Sequence, residues 1–198
     1  MRITNAQNYN ESRDSIAHDW YAFLINNFPD IDWILLPNIE GEILKYIKNI
    51  DLDGFILSGG EDFGVSSSRD KTEILILQYA IDNNKPILGV CRGMQLICNF
   101  FGGEILNGND EFKNNHVAKN HDIIYKNNVY NVNSFHKNEI NRITLPLNLK
   151  IIATNKIDNS IEAISDNNIL GLMWHPERSN SSVELNISII KYFFNIKD

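Results

Sequence analysis

The chain is poor in cysteine and proline, with two and five in 198 residues, and no apolar run approaches the ~20 residues that span a bilayer. Cys91 and Cys98 are too few and too close together for a disulfide framework, so a reducing cytoplasm is the expected setting. The opening stretch, MRITNAQNYN, lacks the apolar core of a secretory signal. Positive charge is also scarce. Lys and Arg number 18 against 25 Asp and Glu, a formal charge of −7, which argues against a nucleic-acid or anionic-membrane partner. Neither a G-x-G-x-x-G nor a P-loop follows the early apolar runs, which counts against a generic nucleotide binder. No repeat and no long Gly/Ser/Pro linker divides the chain, so residues 1–198 are expected to form a single domain. With 43% hydrophobic residues and 22% charged, the chain has enough apolar material for a core.

That apolar material is patterned. Ile31–Leu36, Gly54–Leu57 and Pro86–Val90 read as strands. Ile16, Trp20, Phe23 and Leu24 share one helical face, and so do Ile74, Leu77 and Ile81, with Asp70 as N-cap and Glu73 three residues later. Such alternation predicts right-handed crossovers and a parallel sheet covered by helices on both faces. After Gly103 the pattern shortens to HDIIY, NVYNV, KIIAT and SIEAI, a set of antiparallel strands with polar turns at Asn127-Asn128 and Asp158-Asn159-Ser160. Ile169–Trp174 returns to a buried strand, and Val183, Ile187, Ile190 and Phe194 mark a closing helix. The expectation is an α/β fold: a mostly parallel sheet with helices on both faces, plus a small antiparallel region. Ligands belong at the carboxyl ends of its parallel strands.

At one such end stands GVCRGMQ, Gly89 to Gln95. Gly89-Val90-Cys91-Arg92-Gly93 is the thiol counterpart of the G-x-S-x-G nucleophile elbow. A sharp strand-to-helix turn exposes the nucleophile, bulky neighbours would block it, and the helix N-terminus favours the thiolate. The alternative is a small buried apolar cysteine, the commoner fate of a free thiol; Cys98, two helical turns on beside Met94 and Phe101, reads that way. A thiolate needs a proton shuttle. In GLMWHPE, residues i and i+2 of an extended segment project to one side, so Glu177 can orient His175, and Pro176 ends the ladder. His116 and His121 lack a matching Cys or carboxylate pattern, so no metal site and no cofactor are expected.

GVCRGMQ, FGG (Phe101–Gly103), VNSFH (Val132–His136) and MWHPE (Met173–Glu177) together resemble the class I glutamine-amidotransferase-like proteins, in order and over nearly the whole chain. Arg92 after the cysteine and the N-S-x-H element look more like the stand-alone γ-glutamyl hydrolases than the ammonia-supplying glutaminases. Within that branch the likeness is to small bacterial hydrolases of γ-glutamyl nucleotide amidates in capsule synthesis. The resemblance implies a flavodoxin-like core and a Cys91–His175–Glu177 triad. It assigns Gln95, Ser134 and Phe135 to the glutamyl end of the substrate, and oxyanion donors to the amides of Arg92 and of Gly60 or Glu61. The corner here is Ser58-Gly59-Gly60, where many relatives have Pro-Gly-Gly.

The reading that follows is cleavage of a small-molecule γ-glutamyl amide through a thioester, with no obligate synthase partner. A nucleotide-linked leaving group needs cations. Arg13, Lys137 and Arg178 are candidates, with Arg69 a weaker one; each is otherwise a solvated charge. The rivals are a glutaminase subunit feeding ammonia to a synthase and a non-catalytic member of the fold. The second of these would ordinarily have lost one of the three triad residues.

Overall fold

A computed structural model describes residues 1–179 and 182–197. The chain begins with a small antiparallel hairpin, β1 (Arg2–Asn5) and β2 (Ser12–Ser15), followed by α1 (His18–Asn27) and α2 (Ile43–Lys48). The parallel part of the fold then runs through β3 (Phe55–Leu57), α3 (Ser67–Asp82), β4 (Ile87–Val90) and α4 (Arg92–Phe100). Beyond it lie β5 (Ile105–Asn107), α5 (Asp110–His116), β6 (Val117–Tyr125), β7 (Asn128–Phe135) and β8 (Asn138–Ile140). The chain closes with β9 (Lys150–Asn155), β10 (Ile161–Asp166), β11 (Ile169–Leu172) and α6 (Val183–Phe194). Seven strands share one sheet in the order β3-β4-β11-β10-β9-β6-β7.

The α/β class is as expected, but the balance within the sheet differs. β4 pairs in parallel with β3 and β11, whereas every pairing from β11 outward to β7 is antiparallel. The antiparallel strands therefore continue the main sheet and are not a small appendage. Tight turns explain this: Lys126 and Asn127, both at positive φ, close a two-residue hairpin between β6 and β7. That turn lies one residue before the Asn127-Asn128 expected from the sequence.

Period-2 side-chain alternation divides the core. In β4, Ile87 faces the cluster built on α2, α3 and α4, while Leu88 and Val90 face the cluster built on α1 and α6. β11 does the same with Ile169 on one side and Leu170 and Leu172 on the other. Helices thus cover both faces. No helix among the described residues is long and apolar enough to cross a membrane.

Three local expectations are corrected. Residues 31–39 form no strand. β3 is the sheet edge, and Trp33 instead stacks on Tyr21 of α1 at 5.4 Å between ring centroids. A short apolar run lacks the partner that would make it a strand. Asp70 is not an N-cap, because α3 begins at Ser67; Asp70 and Glu73 face inward to two arginines. In α6 the buried face is Leu185, Asn186, Ile189 and Ile190, and Val183 is exposed. Asn186 sets that rotation by accepting the indole N–H of Trp174 at 2.8 Å.

Two glycines let α4 close onto the sheet. A Cβ on Gly89 would stand 2.6 Å from the backbone of Gly93, and a Cβ on Gly93 would stand 2.2 Å from the carbonyl oxygen of Leu57. Both obstacles are backbone, so neither can swing aside. We predict that Gly93→Ala lowers stability by about 3 kcal/mol, the upper range for overpacking a tight core. Urea denaturation followed by circular dichroism checks this.

Candidate active site

Cys91 joins β4 to α4 with φ 51° and ψ −103°. Positive φ in a residue with a Cβ costs of order 1–3 kcal/mol and persists only where the surroundings over-determine it. Here the Cys91 N–H donates to the Leu172 carbonyl at 2.7 Å, and its carbonyl accepts the Gln95 N–H at 3.1 Å. The corner is pinned from both sides. The sulfur is left at the first turn of α4, where the Arg92 amide helps lower its pKa.

His175 follows the end of β11, and its backbone is clamped by one side chain. Asn133 of β7 accepts the His175 N–H at 2.9 Å and donates to its carbonyl at 2.8 Å. The ring's Nδ1 meets Glu177 Oε1 at 2.7 Å. Its Nε2 is left for the Cys91 thiol, and each of the two groups shifts the other's pKa toward the charged form. The three side chains assigned to the triad are thus brought together, each less than a tenth exposed. Phe135 meets the imidazole edge-on at 5.6 Å, and the Arg178 guanidinium lies 4.1 Å over the Phe135 ring.

Gly59 supplies the room for this ring. A Cβ there would come within 2.6 Å of His175 Cε1. Neither Asn133 nor Gly59 was singled out from the sequence. Asn133 lies inside VNSFH and Gly59 in the Ser58-Gly59-Gly60 corner, but no local period marks a residue whose partner is 42 or more positions away.

Charge distribution in the site favours an ion pair. Burial pushes the Cys91 thiol up, but the hydrogen bond and charge of His175 outweigh this, with smaller help from His136 and the Arg92 amide, and its pKa falls below the ordinary thiol value. For His175, burial acts downward and is overcome by Cys91 and Glu177, raising its pKa to about 9. Cys98 has only burial acting on it and rises to about 11.

Behind the corner lies a buried ionic network. Arg92 turns its guanidinium away from the sulfur and pairs with Asp70 and Glu73. Glu73 also holds Arg69 Nε at 2.8 Å, and Arg69 reaches Glu61 at 2.9 Å. The other end of Arg69 donates to the carbonyls of Ser58 at 2.7 Å and Gly59 at 3.2 Å. In a trans peptide the N–H lies opposite the C=O, so the Gly60 N–H points away from Arg69. Gly60 cannot be replaced, since a Cβ would fall 2.3 Å from Arg69 Nη1. This corrects one expectation: Arg69 is fully buried and committed to the corner, so it is no ligand for a leaving group.

A cleft of about 1000 Å³ opens over the sulfur. Gly60, Glu61, Arg92, Gln95 and Phe135 all line it, as their assignment requires. Ser134 is fully buried with its hydroxyl unpaired and does not line the cleft, which leaves only its backbone for binding. Among the expected cations, Lys137 lines the cleft beside Asp62, at 2.6 Å from its carboxylate. Arg13 lies outside it, paired with Glu11 at 2.6 Å. Arg178 packs behind Phe135 and is not part of the lining. Two lysines not anticipated from the sequence, Lys113 and Lys119, are part of it.

An α/β sheet with a strained thiol corner, backed by a histidine and a carboxylate at the ends of parallel strands, defines a recognisable class. Residues 30–194 match the family described as Glutamine amidotransferase class-I, and the chain belongs to that family. It is similar to the γ-glutamyl-CDP-amidate hydrolase of Campylobacter jejuni, at 31% identity over 99% of this chain and 96% of that one. It also resembles a glutamine-hydrolyzing GMP synthase subunit from Methanococcus aeolicus, at 31% identity over 82% of each chain. A solved structure from Thermoplasma acidophilum shares the fold with TM-score 0.68 at 21% identity, over 98% of this chain and 91% of that one.

The electrostatics predict selective chemistry at the two thiols. Iodoacetamide at pH 7 alkylates Cys91 and spares Cys98 in the folded protein, and His175→Ala slows the Cys91 reaction at least tenfold, as expected when a thiol pKa returns toward ~8.5. Peptide mass spectrometry of a timed series checks both outcomes.

Proposed function

We propose that the protein hydrolyses the amide bond of a γ-glutamyl amide, with Cys91 as nucleophile, His175 as proton shuttle and Glu177 as the carboxylate that orients it. What supports this is the meeting of three groups at the base of an open cleft: His175 Nδ1 stands 2.7 Å from Glu177, and the Cys91 thiol and the imidazole shift each other toward their charged forms. The thiolate attacks the γ-carbonyl carbon. The resulting oxyanion is held by the Arg92 N–H and by the Gly60 N–H, the donor that the Arg69 clamp turns away from itself. Each such donor contributes about 3 kcal/mol to lowering the barrier. Collapse breaks the C–N bond as the His175 imidazolium gives its proton to the departing nitrogen. The neutral imidazole then takes a proton from water, whose oxygen attacks the γ-glutamyl thioester. Expulsion of the thiolate releases glutamate and restores the ion pair. Gln95, Phe135 and the Ser134 backbone hold the glutamyl end.

For the leaving group we propose an anionic, nucleotide-linked amide. Lys113, Lys119 and Lys137 line the cleft against Glu61 and Asp62, a small positive balance in a chain whose formal charge is −7. Phosphate oxygens are what such point charges bind. The similarity to a hydrolase of γ-glutamyl-CDP-amidate supports the same class of substrate. The similarity to one component of a GMP synthase favours a second reading, in which glutamine is cleaved for a synthase partner.

Isolated protein assayed on glutamine and on γ-glutamyl-CDP-amidate separates the two. We expect rapid partner-free turnover of the nucleotide amidate, abolished in Cys91→Ala. Lys119→Ala raises KM for that substrate by about tenfold, the worth of one charged hydrogen bond of ~1.5 kcal/mol, and leaves glutamine kinetics unchanged. Turnover by Cys91→Ala would refute the mechanism. Glutamine-only activity that needs a synthase would move the assignment to the second reading.

The proton chemistry has its own signature. His175 is raised to about 9, so the protonated form that donates to nitrogen exists below that pH and is lost above it. We predict a bell-shaped kcat/KM with its alkaline limb near 9. Glu177→Gln, which removes one of the groups holding the proton on, moves that limb to lower pH.

A further inference from the structure

Beneath the Phe135 wall of the cleft lies a second cluster of titratable groups that the proposed reaction does not use. His116 at the end of α5, His136 after β7 and Glu162 in β10 converge there, with His116 and Glu162 fully buried and His136 3% exposed. His116 Nδ1 stands 3.1 Å from His136 Nε2, and Glu162 Oε1 is 3.7 Å from the first and 3.5 Å from the second. Ligand atoms bound tetrahedrally to zinc at 2.0–2.1 Å stand about 3.3 Å from one another. The triangle has those dimensions.

The proton accounting points the same way. His116 Nε2 lies 2.7 Å from an Asp158 carboxylate oxygen, and His136 Nδ1 lies 2.9 Å from the Asn138 carbonyl. Both partners only accept, so each ring donates outward and, when neutral, turns a lone pair inward. The inward atoms are then two imidazole lone pairs and a carboxylate oxygen, three acceptors facing one another. Among the described residues, the Ser160 hydroxyl, 3.3 Å from Glu162 Oε1, is the one further donor to that oxygen. A cation must balance them.

A third histidine stands in the outer shell. Asn155 Oδ1 accepts the N–H groups of Ile157 and Asp158, so its Nδ2 donates to His121 Nδ1 at 3.0 Å. The His121 proton is therefore on Nε2, aimed at Glu162 Oε2 3.4 Å away. Both of those atoms are buried and lack a hydrogen-bond partner among the described residues, which is the condition of groups waiting for a carboxylate to be pulled into its final pose. The two imidazoles thus each have an orienting partner, Asp158 for His116 and the Asn138 carbonyl for His136, and His121 stands next to Glu162. Such outer partners are a regular feature of metal sites.

We propose that His116, His136 and Glu162 bind one zinc ion, which ties the segment 134–136 of the cleft wall to the antiparallel half of the sheet. Two imidazoles and one carboxylate are an established zinc donor set, with a fourth position left for water. The spacing of His116 and His121 did not suggest this, because the ligands come from three separate elements and His121 is an outer partner.

The test uses full-length Cys91→Ala protein, so that the reactive thiol cannot capture the metal. Purified protein is loaded with zinc sulfate, passed through a desalting column and analysed by inductively coupled plasma mass spectrometry. We expect one zinc per chain, a thermal midpoint lowered by chelator and restored by zinc, and the intense visible bands of four-coordinate cobalt(II) on substitution. Asp158→Asn, which keeps all three ligands, weakens zinc binding about 10- to 100-fold. Glu162→Gln loses the stoichiometric metal. If that variant fails to fold, the cobalt spectrum and the Asp158→Asn affinity still decide the matter. Protein that retains no zinc and shows no zinc-dependent midpoint would overturn the proposal and leave a shared proton between the two imidazoles in its place.

Discussion

Glu73 grips two guanidinium groups at once, and both sides of the candidate active site hang from that grip. Through Arg69 it fixes the carbonyls of Ser58 and Gly59, and therefore the direction of the Gly60 amide. Through Arg92 it roots the first turn of α4, whose amide stands beside the sulfur. Buried charges are expensive, and a network like this is tolerated only when nearly every polar atom has a partner. Asp70 and Glu61 supply the remaining carboxylates. Here the desolvation penalty is spent on orienting two backbone donors, which no apolar packing could do.

The corner itself depends on the absence of side chains. Gly89 and Gly93 let the helix start directly against β3 and β4, and Gly59 leaves space for the imidazole. A cysteine held at φ 51° in that position stores strain that the bonds to Leu172 and Gln95 sustain. Burial would keep both thiol and imidazole neutral, so their opposite shifts arise from each other and, for the imidazole, from Glu177. Neither group would be poised for reaction alone.

The sheet changes character where the cleft ends. Its parallel strands deliver the thiol and the imidazole, and the antiparallel strands carry the opposite wall, with Phe135, His136 and Lys119 on it. A wall built on β-hairpins has little to brace it except cross-strand pairing. The His116–His136–Glu162 cluster joins three of those pieces, so the proposed ion would brace the wall at the point nearest the chemistry.

Local pattern carried much of this in the sequence. The elbow glycines, the short apolar strands β4 and β11 and the i, i+2 relation of His175 and Glu177 all rest on short-range geometry, and they are legible in the sequence. Residues 31–36 misled, because an apolar run says nothing about whether a partner strand lies beside it. The roles of Asp70 and Glu73 were mistaken for capping, since a carboxylate pair three residues apart serves a helix terminus and a buried guanidinium equally well. Asn133 and Gly59 lie in stretches the sequence marks without showing their roles, and Lys113 and Lys119 carry no local signal. Their importance comes from atoms brought close by folding across tens of residues, and only the tertiary structure decides which distant carbonyl, ring or cleft a side chain meets.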